Sequence, residues 1–299
     1  MFWQTILLLP HFLAPLSQVA APEEATQRQI VNEMKFTDKP FEELSHQHVT
    51  EWGEKALRIK KEKWKHVESD HFILHYQAQD VRDRVMKEAE FYYWKIKTDL
   101  KLANDLAEHK SHIFIFEDQA RWRQFQANID LQQIGGVTIG HEFYCYYPKG
   151  RDKEFSGTLA HEMTHLVFNR FFRGLPPLWL NEGFAEYQAE KAYRSLYSQT
   201  YNRKNKDPGA VRAVNFLEMT TWKTYPGDFD SKLTQGLYIK SQLAVEVLIE
   251  KGGPERFVQF TNALIQNHLF EPAFKKHYTE TFQSYEKFLK ELDRKEKRL

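Results

Sequence analysis

The sequence predicts an α+β fold: a small N-terminal mixed sheet with helices, followed by a helical C-terminal half. Three observations predict it. Short β-rich runs fall before about residue 150, and helical periodicity fills nearly everything after it. The chain, at 299 residues, is long enough for one large domain or two small ones and rich in core material, with 41% apolar residues and 23 Phe, 14 Tyr and 7 Trp. Lys+Arg 42 against Asp+Glu 41 leaves a formal charge of +1, which argues against a nucleic-acid footprint or a polybasic membrane patch. A single cysteine, Cys145, excludes an intrachain disulfide framework and a Cys-based zinc cluster. Burial is the better reading for it than nucleophilic attack, because free Cys is so often buried.

Residues 1–20 are apolar but interrupted by Pro10, His11 and Pro15, short of the ~20 apolar residues of a spanning helix. With small residues at Ala20 and Ala21 before Glu23-Glu24, they read as a signal peptide, and the chain as exported, periplasmic or secreted. No Lys or Arg stands near Met1, and a buried N-terminal segment is the alternative. Residues 21–66 read as one or two solvated helices or a loose, charged lead-in, with a boundary near Val67 and a main domain over 67–299. Within that domain, 71–76 and 111–116 read as strands, with a helix over 81–102 between them and a short one at 121–127. Gly135-Gly136 opens two further strand-like runs, 137–139 and 143–147. Helices are expected at 154–171, 177–195, 212–222, 232–251, 254–267 and 281–297, and Gly252-Gly253-Pro254 separates two of them.

The chemistry-bearing segment is His161-Glu162-Met163-Thr164-His165. On a helix the two histidines stand one turn apart on one face, so both imidazoles can reach one ion, and Glu162 is offset toward a water on that ion. Zinc suits the set, since a catalytic zinc takes three protein ligands and keeps one open position. Arg173-Gly174-Leu175-Pro176-Pro177 then reverses the chain, and Trp179-Leu180-Asn181-Glu182-Gly183-Phe184-Ala185-Glu186 opens a second helix. Laid back across the first helix, Glu182 supplies a third ligand. Glu186, one turn on, can accept from a ligand imidazole's other N–H. The bland alternative is a pair of solvated helix faces.

These two motifs together resemble the gluzincin metallopeptidases, in particular the peptidase MA-like group, and distantly the aminopeptidase N family. Trp64–Tyr76 resembles that group's opening strand, Ala89–Tyr92 sits where its first helix would be, and 236–252 resembles its late helix, so the likeness covers about 64–290. It implies a zincin-like fold and one Zn2+ bound by His161, His165 and Glu182. It further implies Glu162 as general base and a peptide or protein substrate. Tyr238, 56 residues after Glu182, stands near where related enzymes keep a tyrosine that steadies the transition state. Tyr187, Tyr193 and Tyr225 are rivals for that part. The His165-to-Glu182 spacing is shorter than in aminopeptidase N relatives. Their amine-holding Gly-x-Met-Glu-Asn strand is matched poorly by Gly140-His141-Glu142-Phe143, so exopeptidase action is unsupported. The strands at 136–147 offer either an edge for an extended peptide or plain sheet structure.

The other histidines invite a structural reading. His71 and His75 fall on one strand face, while His46/His48 and His109/His112 lie in polar sequence, none with a carboxylate or Cys at ligand spacing. Two functions from different classes therefore stand: a zinc metallopeptidase, or a catalytically inactive zinc-binding relative that holds a peptide or envelope partner.

Overall fold

Five strands share one mixed sheet, and its topology follows from which runs are buried on both faces. In this computed structural model, α1 (Glu24–Glu33) and α2 (Glu51–Arg58) precede the hairpin of β1 (Lys65–Glu68) and β2 (Phe72–Tyr76). Then follow α3 (Arg82–Asp99), β3 (Ser111–Phe116), α4 (Gln119–Asn128) and a second hairpin of β4 (Gly136–Ile139) and β5 (Glu142–Tyr146). The spatial order is β1-β2-β3-β5-β4. The central three strands run parallel, and each outer strand is antiparallel to its neighbour. The structure describes residues 23–77, 79–103, 105–129, 135–199, 207–228, 231–267 and 269–299, so the expected signal peptide at 1–20 lies outside the described residues.

Both faces of the sheet are covered, which is why β2 and β3 read as continuous apolar runs rather than alternating ones. On one face Phe72, Leu74, Tyr76, Ile113, Ile115, Phe143 and Cys145 pack into the main helical core. Cys145 is buried, as its sequence reading expected. On the other face Phe114, Phe116 and Tyr144 meet Trp64, Trp122, Phe125, Val49, Ala56 and Ile59. Several of those partners come from the charged lead-in. Its α1 lies against α3, Lys39 bridges to the His66 backbone, and Thr50 caps α2 through its hydroxyl. Val67 pairs with Leu74 inside β1, so the chain has joined the sheet before the point where a boundary was expected.

The second half is helical: α5 (Asp152–Phe171), α6 (Leu178–Tyr197), α7 (Pro208–Arg212), α8 (Phe216–Met219), α9 (Lys232–Gly252), α10 (Pro254–Asn267), α11 (Phe270–Phe282) and α12 (Tyr285–Glu296). Asp152 and Glu154 in the first turn of α5 and Arg170 in its last complement the helix dipole. The helix expected over 212–222 is two short ones, because the Asn215 side chain accepts from Glu218 N and starts α8 afresh. The helix expected at 281–297 starts only at Tyr285, capped by Ser284, and α11 precedes it unanticipated. Pro272 sits in the first turn of α11, where no N–H is needed, so it does not break that helix. No helix among the described residues is long and apolar enough to cross a membrane.

Two glycines set the approach of α6. Gly174 holds φ +117° in the turn after α5, a conformation that L side chains rarely adopt. Gly183 faces α9 so closely that a Cβ there would stand 2.4 Å from the Ser241 carbonyl oxygen. That approach brings Tyr238, one turn before Ser241, into the neighbourhood of α5.

Candidate metal centre

α5 and α6 cross so that three donor atoms converge. His161 Nε2 and His165 Nε2 lie 3.2 Å apart. Glu182 Oε2 is 3.4 Å from the first and 3.8 Å from the second. Among the described residues this is the group of three His, Cys, Asp or Glu donors close enough to share an ion. Donors about 2.0–2.2 Å from one tetrahedral ion stand roughly 3.3–3.6 Å from each other, so the triangle has the right size. The Glu182 Oε2 atom is buried and accepts no hydrogen bond. An orphaned carboxylate oxygen beside two imidazole nitrogens is expensive unless a cation satisfies it. The donor set therefore could hold a divalent ion that takes nitrogen and oxygen ligands.

Outer contacts hold the donors in place. His161 Nδ1 lies 3.1 Å from Glu186 Oε1 and His165 Nδ1 lies 3.2 Å from Asn181 Oδ1. Each ring can donate from Nδ1 to that oxygen, which turns its Nε2 lone pair toward the gap. Glu186 thus lies within reach of the His161 ring, while Asn181, the residue just before Glu182, was missed as a partner of His165. Glu182 is anchored through its other oxygen, which accepts from Tyr225 Oη at 3.0 Å. Burial lowers the His165 pKa and so favours the neutral, lone-pair form. Burial opposes ionisation of Glu182, but the adjacent imidazoles and the Tyr225 hydroxyl outweigh it and hold that pKa below the usual carboxylate value.

Glu162 leaves α5 beside this triangle and turns toward the sheet. Its Oε2 accepts from Thr138 Oγ1 at 2.9 Å, and the same hydroxyl reaches the Glu162 backbone oxygen at 3.1 Å. Thr138 lies on β4, the edge strand, and a Cβ on Gly136 of that strand would come within 3.3 Å of Glu162 Cγ. Thr138 was not foreseen, although its strand was. Of the tyrosines, Tyr238 has its ring 6.2 Å from that of His161 and stacks on Tyr225. Tyr193 packs on Tyr197, and the Tyr187 ring lies under Lys191, which leaves Tyr225 and Tyr238 beside the candidate donors.

Glu142, weighed as an amine holder, is instead buried on the far face of the sheet, where it accepts from Thr50 and Tyr144. His71 and His75 do not share surroundings. His71 pairs with Glu90 at 2.7 Å and stacks on Tyr93, so it has the carboxylate partner that the sequence did not reveal. His75 is buried, and so is His112, which lies in polar sequence. No family model matches the chain, and no curated protein matches it.

Proposed function

We propose that this chain is a zinc-dependent metallopeptidase of the gluzincin kind, with a zincin-like arrangement of its sheet and its α5–α6 pair. The convergence of His161 Nε2, His165 Nε2 and the orphaned Glu182 Oε2 carries the reading. His161, His165 and Glu182 would hold a zinc ion, which would supply Lewis acidity and lower the pKa of a nearby water toward about 7. The Glu162 carboxylate accepts the proton of the attacking water and delivers it to the leaving amine. Thr138 keeps that carboxylate aimed by donating to Oε2. Tyr225 donates to Glu182, and Tyr238, whose ring lies beside that of His161, is the hydroxyl assigned to the developing oxyanion. The substrate is a peptide or protein segment, laid in extended form along β4, whose outer edge has no strand partner among the described residues. Export of the chain belongs to the same proposal and rests on residues 1–20 alone.

The test is Glu162→Gln. The variant keeps zinc and loses peptide hydrolysis by ~10²–10⁴-fold. Equal turnover in the two proteins contradicts the base assignment. Zinc binding by both, with no turnover of a peptide library by either, points to the inactive relative.

A further inference from the structure

Six of the chain's 13 histidines gather on the sheet face opposite α5, where the proposed peptidase chemistry does not use them. His66 on β1, His75 on β2 and His112 on β3 point the same way and form a ladder. His66 Nδ1 meets His75 Nδ1 at 2.7 Å, and His75 Nε2 meets His112 Nδ1 at 2.8 Å. All three are buried, at 8%, 0% and 2% exposure. Residues 37–60 strap across them. Phe41 lies 5.3 Å from the His66 ring and 6.0 Å from the His75 ring. His46 stacks on His109 at 4.0 Å and stands 5.4 Å from His112, with His48 beside it. We propose that this ladder is an acid-sensitive latch: neutral imidazoles hold the strap on the sheet, and their protonation releases it.

The hydrogen-bond inventory makes the latch work. Each N···N contact needs one N–H and one lone pair, and a neutral imidazole offers one of each. One extra proton can be shared along the ladder. A second necessarily sets two N–H groups against each other across a 2.7–2.8 Å contact. The surroundings give little help to a charge. His66 faces Asp38 and Glu42 of the strap, His75 faces only the two neighbouring imidazoles, and His112 faces His46 and His48. His46 in turn faces His109 and His48. The nearby Glu68 is already taken by Lys39, Lys110 and Ser45. Burial holds His66 down at about 4 and His112 at about 3, and pushes His75 well below its usual value. The ladder nitrogens bond one another in series and converge on no common point, unlike the donors of α5 and α6.

The sign follows from linkage. Once freed, these histidines titrate near 6.5, so opening takes up protons. The closed strap keeps its full stability above about 6.5 and loses it as the pH falls toward about 4. Each histidine that is uncovered multiplies the opening constant by up to about tenfold per pH unit in that window. Release also withdraws the Thr50 donors from Glu142 at the start of β5, the strand that pairs with β4.

Amide hydrogen exchange on the full chain tests this, with protection factors followed from pH 7.5 to 5. The readout requires no metal and no turnover, so it stands or falls apart from the peptidase reading. The expected result is that protection over 38–60 falls by about tenfold or more per pH unit below 6.5, while α9 stays protected. In His75→Gln, or in His66→Gln at the edge strand should the first not fold, the slope over 38–60 flattens. Loss of strap and α9 protection together, an unchanged slope in the variants, or a flat wild-type profile would each overturn the latch.

Discussion

Two histidine clusters sit on opposite sides of one sheet, and their nitrogens are used in opposite ways. On α5, His161 and His165 point their Nε2 atoms at each other and at an unsatisfied carboxylate oxygen, while their Nδ1 atoms are anchored outside. On β1, β2 and β3, His66, His75 and His112 spend their nitrogens on one another. The first set leaves a gap that a cation could fill. The second pairs its nitrogens in series and cannot take a second added proton without setting two N–H groups against each other. Histidine content alone therefore says little about metal binding; what decides it is whether lone pairs converge or pair off in series.

The largest effect that sharpens this contrast is on turnover. Tyr238→Phe should lower kcat by ~10²–10³ if its hydroxyl serves the oxyanion, with zinc content unchanged. Steady-state kinetics that match wild type would strip Tyr238 of that part. Next come the residues that aim the rings. Glu186→Gln and Asn181→Ala should each weaken zinc binding by roughly 10–100-fold, measured by competition with a chelator, whereas His66→Gln should leave it unchanged. A larger loss at His66 than at Glu186 would erase the distinction between the clusters. The smallest effect tests packing. Gly183→Ala places a Cβ against the Ser241 carbonyl and should destabilise the fold by roughly 1–3 kcal/mol in urea unfolding. A neutral result would mean that α9 can retreat freely from α6.

What was legible in the sequence was what is local. His161 and His165 share a face because a helix puts i and i+4 together, and Glu182 and Glu186 share one for the same reason. The α+β division also follows from local periodicity, since both-face burial writes β2 and β3 as apolar runs. The ladder was not legible. Hairpin register sets His66 opposite His75, and a parallel pairing across the whole of α3 brings in His112. No spacing rule encodes that second neighbour. Tyr225 was one tyrosine among several until the fold put its hydroxyl on Glu182. The lead-in looked loose because its charges dominate, yet Val49, Ala56, Ile59 and Trp64 are enough to seat it on the sheet.

The most direct measurement is the zinc content of three purified proteins by elemental analysis: wild type, Glu182→Ala and His75→Gln. The account predicts about one zinc per chain in wild type and in His75→Gln, and little in Glu182→Ala. Full zinc in Glu182→Ala, or its loss in His75→Gln alone, would contradict the assignment of the metal to α5 and α6.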